Sequence, residues 1–179
     1  PEAKLHPNTI AINLNIFNSH ADRITMANIA QMVNVLQSLI LTRDDKIVLT
    51  PTYYVFRMYK DHMGSKLVPA ELACSNYTFE GNSIPSISAS ASMKKDNVIT
   101  LTIVNIDPFK SNEVLIDAGK EVGSVTGEIL SSPHLNDFND FGKSAVVIPA
   151  QFTQFQIKEN RIHIDLPGKS IVKLTLILK

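Results

Sequence analysis

A chain of 179 residues is long enough for one ordinary domain, or for a compact domain plus a piece of another. Its composition, 44% hydrophobic and 19% charged, fits a folded globular protein, and 17 basic against 17 acidic residues argue against an electrostatic nucleic-acid binder. Apolar runs fall short of the roughly 20 residues of a membrane-spanning helix; Cys74, the single cysteine, excludes an intrachain disulfide and a cysteine-built zinc site.

The chain starts at Pro1 with neither a methionine nor a signal-like segment. The expectation is an open reading frame that begins upstream, with the compartment of a soluble protein, intracellular or exported, left open. Across Asn8 to His20, Ile10, Ile12, Leu14 and Ile16 alternate like a strand, while Ile10, Leu14 and Phe17 share a helical face. The stretch is long for a strand, so it is read as a helix. Ile24 to Met32 fits a buried strand, and Val33 to Leu41 is largely apolar. Thr50-Pro51-Thr52 opens a second helix through Met63, with Val55, Met58, Tyr59 and His62 at helical spacing and Gly64 as its stop. A helix, a strand and a helix cannot close a sheet core by themselves. This front part needs other elements to cover it, and a boundary falls near Gly64 to Lys66.

From there the texture is β. Runs near Ile87 to Met93, Val98 to Val104, Glu113 to Ala118, Val122 to Leu130, Phe152 to Ile157 and Ile162 to Leu166 alternate between turn residues. In the last strand Val172, Leu174, Leu176 and Leu178 line one face, opposite Lys173 and Thr175. Polar turns fall at Lys94-Lys95-Asp96-Asn97 and Lys158-Glu159-Asn160-Arg161. Leu166-Pro167-Gly168-Lys169 is read as a turn in which glycine takes a positive φ. Several short strands without helices between them predict an antiparallel sandwich.

Particular residues then carry a resemblance. Asn18 to Gln37 reads NSHADRITMANIAQMVNVLQ, and is followed by Ile40-Leu41-Thr42, Leu49 to Tyr53, Val55-Phe56 and Met58-Tyr59. Ser88 to Ser92, Val104-Asn105-Ile106-Asp107-Pro108, Gly127 to Leu130, Leu135 to Phe141 and Pro167 to Ser170 continue it in order. Together they resemble the α-L-arabinofuranosidases of glycoside hydrolase family 51. The resemblance implies a mainly β chain: residues 1–64 as the last helix-strand-helix segment of an incomplete (β/α)8 catalytic barrel, and residues 65–179 as the C-terminal β-sandwich. It implies a parent enzyme, commonly a homo-oligomer, that removes terminal non-reducing α-L-arabinofuranosyl residues from polysaccharides and oligosaccharides by a retaining two-glutamate mechanism. Both glutamates would precede Pro1, so the catalytic set of this chain is empty and the fragment alone is expected to be inactive.

Gln31 is the one substrate-binding candidate. The resemblance places it at the C-terminal rim of the last barrel strand, where the family's matching glutamine hydrogen-bonds the arabinose. An amide can donate to and accept from sugar hydroxyls, but it can equally satisfy local backbone. Asn28 and Asn34 are weaker candidates that read as structural amides. Glu2, Glu71, Glu80, Glu113, Glu121, Glu128 and Glu159 read as solvated charges, and Tyr53, Tyr54 and Phe56 as core rather than a stacking platform. The alternating serines of Ser86 to Ser92 read as a small-residue strand face, since no glycine-flanked nucleophile elbow accompanies them. His6, His20, His62, His134 and His163 lack ligand spacing, so neither a metal nor a cofactor is expected. The competing reading is a non-catalytic carbohydrate-binding or structural, oligomer-building sandwich. The absence of tryptophan weakens its carbohydrate-binding form.

Overall fold

The computed structural model describes residues 6–95 and 97–179; Glu2 and Asp96 of the sequence reading lie outside them. Helix α1, Pro7–Ser19, has proline in its first turn, and the His6 side chain caps it by accepting the Asn8 amide at 3.3 Å. A tight hairpin follows, β1 Ile40–Arg43 and β2 Lys46–Leu49. Helix α2, Pro51–Tyr59, runs into a 3-10 turn, Lys60–His62, and Gly64 breaks away at φ +69°.

The remaining strands are β3 Lys66–Val68, β4 Asn76–Phe79, β5 Asn82–Pro85, β6 Ile87–Lys94 and β7 Val98–Asn105. They continue as β8 Asn112–Asp117, β9 Val122–Leu130, β10 Ala150–Gln151, β11 Phe155–Lys158, β12 Arg161–Leu166 and β13 Ile171–Leu178. A six-stranded sheet, in the order β10-β9-β13-β7-β6-β3, faces a three-stranded sheet, β11-β12-β8, and every pairing within them is antiparallel. Hairpins β1-β2 and β4-β5 stand apart.

The sandwich core follows the period of two. Ile99, Leu101, Ile103, Val172, Leu174, Leu176 and Leu178 of the large sheet meet Ile162, Ile164 and Leu166 of the small one. The other face of the large sheet carries the helices. Ile10, Ala11, Leu14, Val55, Met58 and Tyr59 pack on Val104, Leu130 and Ile171. The expected core role of the aromatic run holds in part: Val55 and Met58 are fully buried, whereas Tyr53, Tyr54 and Phe56 are half-buried.

The serine face of β6 has a plain structural use. Asn15 of α1, 1% exposed, donates to Ser88 Oγ at 3.1 Å, while its Oδ1 accepts from Ser90, Thr102 and Tyr59 at 2.8, 2.9 and 2.8 Å. Small hydroxyls let the helix sit close to the sheet and satisfy its buried amide. Ions latch α2 to the same face. Arg57 pairs with Glu128, and Lys173 bridges Asp61 at 2.9 Å and Glu128 at 3.2 Å. Glu128 is therefore a latch residue and not the solvated charge expected of it.

Three other expectations change. Ile24 to Met32 forms no strand; Ile24, Ala27 and Ile29 are half-buried, but none of the described strands lies alongside to complete a ladder. The Phe152 to Ile157 run is split: Phe152 is buried after β10, and β11 starts at Phe155. In the Pro167 turn the positive φ falls on Lys169, at +51°, and not on Gly168. Gly168 is needed for space, since a Cβ there would meet Asp107 O at 3.1 Å and Lys110 O at 3.2 Å. Two quoted motifs thus meet: Lys169 N donates to Asp107 O at 2.8 Å, and Asn105 N donates to Ser170 O at 2.9 Å.

Candidate functional site

The site is built from the irregular chain between α1 and β1. After α1 a turn closes with Ile24 N donating to His20 O at 2.9 Å. Asn28 and Gln31 are then exposed on a segment whose large apolar neighbours Met26, Met32, Val33 and Leu36 are also exposed. Among the apolar positions of this front part, Val33 and Leu36 are exposed, and Ile29 and Ile40 are half-buried.

Beyond Gln31 the chain is tied down. Ile40 N donates to Met32 O at 3.0 Å, and Asn34 N donates to Ile40 O at 3.1 Å. Asn34 adopts φ +54°, a left-handed conformation that asparagine tolerates better than most residues. Its amide grips Thr42 of β1 from both sides: Oδ1 accepts from Thr42 N at 2.7 Å, and Nδ2 donates to Thr42 Oγ1 at 2.8 Å. Asn34 is a structural amide, as read from the sequence.

Further on, Ser38 is buried, and its carbonyl accepts from Thr50 Oγ1 at 2.7 Å. The same Thr50 oxygen accepts from Tyr53 N at 3.4 Å, so one hydroxyl caps α2 and anchors the loop. Asn139 was missed from sequence. It is buried, donates to Leu49 O and Val147 O, and accepts from Val146 N and Val147 N, all at 2.9 Å. Its only sequence signal is membership of the polar Leu135 to Phe141 loop. Arg43 closes that contact by lying 4.3 Å from the ring centroid of Phe141. Between these parts lies a groove of about 600 Å³, lined by His6, Leu36, Gln37, Thr50, Leu135 and Phe138 among others. Burial, then the charge of Lys169, lowers the His6 pKa and favours its neutral form.

Chemically, the segment offers neutral amides beside apolar side chains. That suits holding a sugar but not cleaving it, because glycosidic cleavage needs an acid and a nucleophile. The ion-paired carboxylates Asp61, Asp117, Glu121 and Glu128 lie elsewhere in the chain, while Asp137, which lines the groove, accepts from the His134 amide at 2.9 Å. Asp117 is pushed below its ordinary range by the Gly119 backbone amide and by Arg161, the opposite of what a general acid needs. Among the described residues no group of three or more His, Cys, Asp or Glu gathers as for a metal ion. No helix among them is long and apolar enough to cross a membrane.

The profile of the α-L-arabinofuranosidase C-terminal domain family matches residues 9–170. An intracellular exo-α-L-arabinofuranosidase of Bacteroides ovatus is 44% identical over 168 residues, covering 93% of this chain and 33% of that protein. Among solved structures, a GH51 arabinofuranosidase of Xanthomonas axonopodis pv. citri superposes with a TM-score of 0.91 at 36% identity, over 97% of this chain and 36% of that one. The α-L-arabinofuranosidase of Thermotoga maritima, in an arabinose complex, shares the fold with a TM-score of 0.83 at 23% identity, over 99% of this chain and 39% of that one. The chain thus spans about a third of the relatives it matches.

Proposed function

The chain belongs to the α-L-arabinofuranosidase C-terminal domain family, and from that membership we propose that it is the closing part of an exo-acting, retaining α-L-arabinofuranosidase. The substrates are polysaccharides and oligosaccharides that carry terminal non-reducing α-L-arabinofuranosyl residues. The observation that carries this reading is the likeness along nearly the whole chain to an exo-α-L-arabinofuranosidase.

In this reading residues 1–64 complete a catalytic barrel and residues 65–179 form the accessory sandwich. The acid/base and nucleophilic glutamates belong to the upstream barrel portion, which covers the apolar surface around Met26, Met32, Val33 and Leu36. Gln31 supplies an amide to the bound arabinose. The exposure of Gln31 on that same surface supports the assignment. The parent assembles as a homo-oligomer.

Product analysis of the full-length protein on an arabinan oligosaccharide tests the reaction class. Single L-arabinose units, released first as the α-anomer, are expected. Oligosaccharides shortened by two or more units before single units accumulate, or the β-anomer first, would contradict exo action or retention respectively.

A further inference from the structure

We propose that Asn34 is a positioning residue for Gln31: its two-sided grip on Thr42 fixes the turn from which Gln31 reaches out, and so sets where that amide stands against the sugar. The inference rests on the reading of Gln31 given above.

Gln31 is exposed and lies on chain that no described strand flanks. In the proposed parent a barrel strand leads up to Gln31; within this chain its place depends on what holds the residues just after it. Those residues are held by two backbone bonds, Ile40 N to Met32 O and Asn34 N to Ile40 O, and by the side-chain grip of Asn34. The anchor at the far end is firm, because Thr42 pairs with Ile47 inside the β1–β2 ladder. Asn34 brings both an acceptor and a donor to this one residue, at 2.7 and 2.8 Å, and does so from a backbone of φ +54°. That commits its amide to Thr42, so its effect on a sugar passes through Gln31. Misplacing a binding group by about 1 Å can cost on the order of a hundredfold in rate.

The test is a double-mutant cycle in the full-length protein, reading kcat/KM on 4-nitrophenyl α-L-arabinofuranoside and the inhibition constant of free L-arabinose. Gln31→Ala is expected to lower kcat/KM about tenfold, the size of one lost hydrogen bond. Asn34→Gly keeps the left-handed backbone and removes only the grip. It is expected to approach the Gln31→Ala effect in both readouts, with Asn34→Asp intermediate because its carboxylate can still accept from Thr42 N. The decisive variant combines the two: Gln31→Ala with Asn34→Gly should be no worse than Gln31→Ala alone.

Additive losses, or an unimpaired Asn34→Gly beside an impaired Gln31→Ala, would overturn the positioning role and leave the reading of Gln31 intact. An unimpaired Gln31→Ala would overturn both. If Asn34→Gly does not fold, Thr42→Val removes the Oγ1 acceptor from the opposite side but keeps the Thr42 N bond, so it completes the same cycle with the intermediate loss expected of Asn34→Asp.

Discussion

His62 closes the 3-10 turn after α2 and reaches the sheet with both ring nitrogens, to Ser92 Oγ at 2.8 Å and Thr102 Oγ1 at 3.2 Å. Burial pushes its pKa down to about 4; Asp61 pulls it back up in part, and Lys173 adds to the lowering. A histidine whose folded pKa lies below its ordinary 6.5 is neutral when folded and takes up a proton on unfolding. Its contribution is therefore fully present above about pH 6.5 and is lost as the pH falls towards 4, a span worth on the order of 3 kcal/mol. His62→Gln keeps a hydrogen-bonding amide without the titration. Urea midpoints measured from pH 7 to pH 4.5 should fall less steeply for this variant than for the parent chain. Parallel slopes would show that His62 does not carry the acid sensitivity. The sequence reads His62 as a packed or partly exposed helix residue, but its two hydroxyl partners lie on strands 30 and 40 positions away and left no local sign.

At the scale of elements, the long strands were legible because one face of each is buried. The burial of β12 alternates strictly, and β13 puts Val172, Leu174, Leu176 and Leu178 inward as read. Hairpin β4-β5 was not legible, since nearly all of its residues are exposed and it has no apolar face to reveal. The strand expected at Ile24 to Met32 shows the converse: a local apolar run states a preference, but only neighbouring strands can satisfy its backbone. Helix α2 depends on the sheet in a way sequence could not display, through Lys173 on β13 held between Asp61 and Glu128. Lys173 is only 16% exposed, so Lys173→Ala strands Asp61 and weakens the hold on Glu128. A loss of about 2 kcal/mol is expected. Chemical denaturation measures it, and amide exchange across Val55 to Tyr59 should accelerate with it. An unchanged midpoint would mean the latch is ornamental.

At the scale of the whole molecule, two packed regions share one sheet. The sandwich lies on one side of it, and two helices with a long irregular connection lie on the other. The resemblance motifs are spread across both, and several serve scaffolding: Asn105 and Asp107 meet the Pro167 to Ser170 turn, and Ser88 and Ser90 receive α1. Gln31 differs from these in being exposed on an apolar surface, and the role proposed for it rests on family membership more than on any geometry visible in sequence. On the proposed reading, the molecule is a scaffold that carries one binding amide towards chemistry performed by other residues. The most direct test compares this chain with the full-length protein, each purified to homogeneity, for release of 4-nitrophenol from 4-nitrophenyl α-L-arabinofuranoside. The full-length protein should turn the substrate over and this chain should release nothing above the uncatalysed rate; turnover by this chain alone would contradict the account.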